Sequence, residues 1–169
     1  MHSSRETARD ILLLLFFFLY SYRLGAANVE ALINYPFWRD MGPMMSNADF
    51  IHLRTEHLWK IFPIMVAPIG VLVVVTAVLA WTGAQPVPRW AFVGALCVQL
   101  IAVVSTVAIQ LPIQAQLSGT GYDAAALERL IRTDLWFRKL PSVIEGGFVL
   151  VSFWKVVSAA RTVPRPAVH

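Results

Sequence analysis

Cysteine is almost missing from this sequence: Cys97 stands alone among 169 residues. A lone thiol closes no internal disulfide, which excludes a disulfide scaffold and an intramembrane thiol–disulfide relay. Set in an apolar run, it reads as a small packing residue. Charge is scarce as well. Only 14% of residues are charged, the net charge is +4 and the basic residues are dispersed, so no tract exists for nucleic acid. Glycine-rich phosphate loops, a dinucleotide fingerprint, a nucleophile elbow and a cysteine metal motif are all lacking.

Apolar residues fill the space, at 57% of the chain, and they are clustered. Leu58 to Gly83, Trp90 to Leu111 and Ser142 to Ala159 are long runs with few charges. Each approaches the ~20 residues that cross a hydrocarbon core about 30 Å thick. A fourth begins at "ILLLLFFFLY". The expectation is an all-α integral membrane four-helix bundle, one domain over 1–160 with spans near 11–34, 58–82, 89–111 and 139–159. A polar tail, 161–169, completes the chain. Arg5, Arg9, a short apolar core and the pair Gly25/Ala27 also suit a cleaved signal peptide. Arg23 and a helical pattern that runs on past the cut argue for retention.

Proline and glycine mark the connections. Pro36, Gly42 and Pro43 are expected to break regular structure after the first span. Ser46, Asn47 and Asp49 then offer N-caps for a helix that enters span two and bends near Pro63 and Pro68. "GAQPVPR" is a tight link to span three, which Pro112 and the Gly119/Gly121 pair close. Asp123 caps a further helix, and Pro141 either kinks it into span four or starts that span. Two longer, partly helical connections therefore share one membrane face.

That face collects the polar residues. At about 100° per residue, Tyr20, Arg23, Glu30 and Asn34 form one stripe; Gln99, Thr106 and Gln110 form a second; Asp134, Arg138, Glu145 and Ser152 form a third. Ionisable groups facing lipid are costly, so all three stripes are expected to point inward. Glu30, His57, Arg138 and Glu145 are the candidate catalytic groups; Arg23, Asn34, Arg54, Gln110, Gln114 and Asp134 are the candidate substrate-binding groups. The plainer alternative is that Arg23 and Glu30 form packing ion pairs with Arg138 and Glu145. His52 and His57 lie about 140° apart on a helix, unlike the i, i+4 pair of a zinc helix, so no metal is assigned. Trp59 and Trp136 at the polar end, with Trp81 and Trp90 at the other, give the two aromatic belts of a spanning bundle.

"GAANVEALINYPFW", "LPIQAQL" and "LIRTDLWFRKLP" together resemble the anthrone-oxygenase-like group of small four-span membrane proteins. Val29 stands here where an aromatic usually precedes the glutamate, and Phe37 precedes Trp38. The resemblance implies a four-helix bundle and, from its characterised branch, oxidation of a polycyclic phenolic compound by dioxygen without an evident metal or other cofactor. It would use Glu30 or His57 as base and Arg54 or Arg138 to stabilise an oxyanion. The same constellation suits isomerisation or cyclisation of a lipophilic molecule, aromatic or isoprenoid. The competing class is a non-catalytic membrane protein that binds a lipid or small molecule, or a subunit of a membrane complex. Membrane lipid and a second copy of the chain are the other partners considered. Lysine and arginine are nearly equal in number on the two sides, but several of those on the connection-bearing face read as site residues rather than topogenic charges, so the expectation is an N-terminus inside, in a bacterial plasma membrane.

Overall fold

Four long helices account for nearly all of residues 4–162, which a computed structural model describes. They are α1 (Ser4–Met44), α2 (Asn47–Thr82), α3 (Arg89–Thr120) and α4 (Ala124–Arg161). Among the described residues there is no strand, only an isolated bridge between Ala84 and Val87 in the tight α2–α3 link. Consecutive helices pack antiparallel, and α1 closes the bundle against α4. The chain is an integral, multi-pass, all-α membrane protein. The polar tail expected from 161 lies, beyond Thr162, outside the described residues.

The surface is the reverse of a soluble bundle's. Leu14, Val74, Val104, Val107 and Leu150 are all more than half exposed, a pattern that only lipid makes favourable. Exposed tryptophans bracket this band. Trp59 to Trp81 on α2 covers about 33 Å, and Trp136 to Trp154 on α4 about 27 Å, at about 1.5 Å rise per residue. Both match a hydrocarbon core of about 30 Å. The helices continue well past the Trp59/Trp136 belt and form a headpiece at that end.

Pro36 and Pro112 were expected to break or close helices, and the structure differs there; Pro141, expected to kink a helix into span four or to start that span, lies within one continuous helix. Pro36, Pro112 and Pro141 all lie inside continuous helical runs. Each sits two positions after a widened π turn: Glu30–Asn34, Thr106–Gln110 and Leu135–Lys139. A proline ring crowds the carbonyl four residues back and supplies no N–H. The extra residue in a π turn shifts the ladder so the helix continues. Neighbouring helices satisfy two of the freed carbonyls. Ser105 Oγ donates to the Phe137 carbonyl at 3.1 Å, four residues before Pro141, and Tyr22 OH donates to the Ile64 carbonyl at 3.0 Å, four before Pro68. This repair of freed backbone groups by side chains is what lipid demands. Ser46 caps α2, accepting from the Asp49 amide at 3.2 Å, and Asp123 caps α4.

Two apolar cores result. One, at the tight-link end, joins Phe16, Leu72, Leu79, Phe92 and Val149; the other, in the headpiece, joins Tyr35, Trp38, Phe50, Leu117 and Leu127. Close approaches use glycine. A Cβ on Gly94 would meet the Phe148 ring, one on Gly146 the Tyr20 hydroxyl, and one on Gly42 the Tyr122 ring. Gly121, at φ 95°, turns the chain between α3 and α4. Cys97, expected to pack inside, is exposed on the lipid-facing surface of α3.

Membrane vesicles treated with a membrane-impermeant maleimide should leave Cys97 unmodified from both sides. A cysteine placed at Asp49 in a Cys97→Ala background should label from one side only. Labelling of Cys97 in intact vesicles would refute the depth assigned to α3.

Candidate functional site

Between the two cores lies a layer of polar side chains, on two levels. The deeper level sits about 14 Å from the Trp136 belt, counting from Trp136 to Glu145 at about 1.5 Å per residue. Glu145 has no exposed surface. It pairs with Arg23 of α1 and accepts from Gln99 Nε2 of α3 at 2.7 Å. Gln99 also donates to Thr76 Oγ1 of α2 at 3.0 Å, and Arg23 donates to Ser142 Oγ at 3.2 Å. Tyr20 OH reaches the Ser142 carbonyl at 3.1 Å across Gly146. One carboxylate thus ties all four helices together.

The upper level is the headpiece side of the three π turns. Arg54 of α2 is 3% exposed, lies 5.5 Å from the centroid of the Trp38 ring and 6.0 Å from that of Phe50, and donates to Gln114 of α3. Glu30 accepts from Asn34 Nδ2 at 2.6 Å, one turn along α1. Arg138 is taken up by Asp134 of its own helix at 2.8 Å, and Gln110 donates to Thr133 Oγ1 at 2.9 Å. The His57 ring packs edge-on against Trp38, with centroids 5.6 Å apart.

Several groups on this level are short of partners. His57 Nε2, Arg54 Nε and Gln110 Oε1 are buried and make no hydrogen bond, and Tyr35 OH is buried against the Asp134 carboxylate. They come from α1, α2 and α3. Glu30 acts electrostatically on three of their side chains, Tyr35, Arg54 and His57, and Tyr35 also feels Asp134. Beside them, between α1 and α2, runs a groove of about 400 Å³. Ile33, Phe37, Leu53 and Trp38 give it apolar walls, and Asn34, His57, Glu56 and Lys60 its polar edges. Among the described residues no group of three or more His, Cys, Asp or Glu side chains is placed to hold a metal ion.

All three polar stripes face inward: Arg23, Gln99, Gln110, Asp134, Glu145 and Ser152 are buried. The ten candidates nevertheless divide. Arg23 and Glu145 belong to the deep layer, whereas Glu30, Asn34, Arg54, His57, Gln110, Gln114, Asp134 and Arg138 line the upper level. The packing pair expected between Arg23 and Glu145 forms; Glu30 and Arg138 instead turn to Asn34 and Asp134. Tyr35, Trp38 and Thr76 were absent from the candidates. Tyr35 and Trp38 flank Pro36 in "NYPFW", and Thr76 is the lone hydroxyl in "VLVVVTAVL"; those were the available signals. The chain matches no family model, and neither a curated protein nor a solved structure is significantly similar to it.

Breaking a buried ion pair from one side costs about 3–5 kcal/mol, while replacing both partners with apolar residues is often neutral. Arg23→Met and Glu145→Leu should each lower the thermal midpoint in detergent markedly, and the double variant should recover most of the loss. Additive losses in the double variant would show that the two side chains do not act as a pair.

Proposed function

We propose that the protein is a membrane enzyme acting on a lipophilic small molecule by acid–base chemistry, with its site on the upper polar level. The observation that carries this reading is the set of buried, unpartnered polar atoms on the upper level, His57 Nε2 and Arg54 Nε beside Glu30 and Gln110 Oε1 on α3, next to an apolar groove. Buried polar groups in folded proteins are nearly always paired, so a concentration of exceptions marks a place kept for a ligand. Mid-sized apolar pockets with a few convergent polar groups are the usual form of small-molecule sites.

In this reading the substrate's apolar body lies in the groove and its oxygen-bearing end reaches His57 and, past Trp38, Arg54. His57 Nε2 takes or returns a proton, and the Glu30 carboxylate holds the resulting imidazolium. Arg54, supported by Tyr35 OH, meets the developing oxyanion. Such preorganised donors in a water-poor site are strong contributors to catalysis. Arg138 is already held by Asp134, which makes it the lesser candidate for that role. Arg23 and Glu145 are assigned to positioning, through the helices they tie together. The same groups serve a cofactor-independent oxygenase, as the anthrone-oxygenase-like resemblance suggests, or an isomerase or cyclase. The deep layer supports a second reading, a non-catalytic lipid binder or complex subunit, because it has the character of packing. We place the protein in a bacterial plasma membrane with the N-terminus inside, since many cations of the headpiece side belong to the site.

The test starts with native mass spectrometry of the purified protein to identify a retained lipophile, and then an assay of its conversion. His57→Gln and Glu30→Gln should each reduce turnover by about 10²–10⁴-fold, the usual range for a general acid–base group, with the thermal midpoint nearly unchanged. Parental turnover in both variants would remove these residues from the chemistry. A stable parent that binds the molecule and never converts it would favour the binder.

A further inference from the structure

Resting on that reading, we infer that the groove receives a lipophile bearing one negatively charged oxygen group, such as a carboxylate, with Arg54, behind Trp38, as its receptor. Three buried or half-buried arginines face the bundle interior, and two are neutralised by carboxylates: Arg23 by Glu145 and Arg138 by Asp134. Arg54, the most deeply buried, forms no ion pair among the described residues. Its hydrogen bond goes to a neutral amide, Gln114, and its Nε has no partner. A guanidinium is always charged and offers a planar fork suited to an oxyanion, so one buried beside a neutral amide defines the chemistry of its guest.

The surroundings set the charge of the guest. Glu30 lies within electrostatic reach of Arg54, and Asp134 within reach of Tyr35. A doubly charged phosphate would face both carboxylates with one unpaired cation to receive it. A monoanion brings half that repulsion and needs only the one guanidinium to receive it. The groove sets the rest of the molecule. Trp38 borders both the groove and Arg54: its ring lies 5.5 Å from the guanidinium and also lines the groove with Ile33, Phe37 and Leu53. Lys60 lines the groove next in sequence to the exposed Trp59 of the interfacial belt, which puts the groove at the height where an apolar chain can enter from the lipid.

The probes are dodecanoate, dodecanol and dodecyltrimethylammonium, titrated at pH 8 against the full chain in phosphatidylcholine nanodiscs and read by native mass spectrometry. Dodecanoate should bind at least about tenfold more tightly than dodecanol, the cation more weakly than either. Arg54→Gln should bring the carboxylate-to-alcohol ratio close to one, and Arg54→Lys should retain part of it. Equal binding of dodecanol and dodecanoate to the parent overturns the inference, and so does an undiminished preference in Arg54→Gln. The parental comparison stands even if an Arg54 variant fails to fold. Loss of the anion preference with His57-dependent turnover intact removes this inference alone; an anion preference without turnover upholds it and removes the enzyme.

Discussion

Glu145 has no exposed surface, and the helix that carries it crosses lipid. Each ionisable group in that position costs ~2.5–3.5 kcal/mol on insertion scales unless the bundle receives it. The manner of its reception governs the rest of the architecture. Arg23 supplies the charge, Gln99 the second oxygen's donor, Thr76 the other end of Gln99, and Ser142 a further acceptor for the guanidinium. Those residues lie one or two to a helix. Rotating any helix by one residue would withdraw a partner from the hydrocarbon interior. Apolar packing between helices in lipid has no comparable sense of register, since lipid tails are as apolar as the side chains they replace.

Above that layer the problem is different. Prolines at 36, 112 and 141 interrupt three of the four backbone ladders at a similar height. Each interruption is absorbed by a π turn, and a π turn rotates the downstream helix relative to the upstream one. Side chains past the turn need not continue the stripe below. The turns lie at the height where the two levels of polar residues meet, with the upper level beginning at them. Arg23 and Glu145 precede or lie outside the turns and meet as a pair, whereas Glu30 and Arg138 lie within them and find partners on their own helices.

The fold was legible in the sequence because it rests on long-range composition: four apolar runs, belts of tryptophan and a tight proline-containing link survive local errors. The inward stripes were legible for the same reason, since the cost of a charge in lipid leaves few alternatives. What escaped was local. Pro36 and Pro112 read as helix breakers because proline deletes a hydrogen bond, but the compensation depends on residues far away, as Ser105 with Phe137 shows for Pro141. Arg23 and Glu30 share a stripe, but seven residues, about 10 Å of rise, separate them, so the stripe alone did not show that they sit on different levels. Trp38 and Tyr35 lay in a motif whose aromatic residues suit an interface equally well, so nothing in their spacing separated a chamber wall from a belt.

The two levels also differ in how completely their hydrogen bonds are met, and that difference bears on what each level does. The deep layer leaves Arg23 Nε and Gln99 Oε1 without partners, but every side chain in it has at least one interhelical bond. On the upper level the unpartnered atoms belong to groups that a packing role would not need. Leucine or methionine would relieve Gln110 and Arg54. A buried polar atom left unpaired costs about 1–3 kcal/mol, so three of them together represent a cost comparable with much of a protein's net stability. The deep ionic layer and the two apolar cores let the bundle bear it. A layer that served packing alone would be more stable with apolar residues there, whereas the open hydrogen-bonding positions of Arg54, His57 and Gln110 are what a site for a polar oxygen would require.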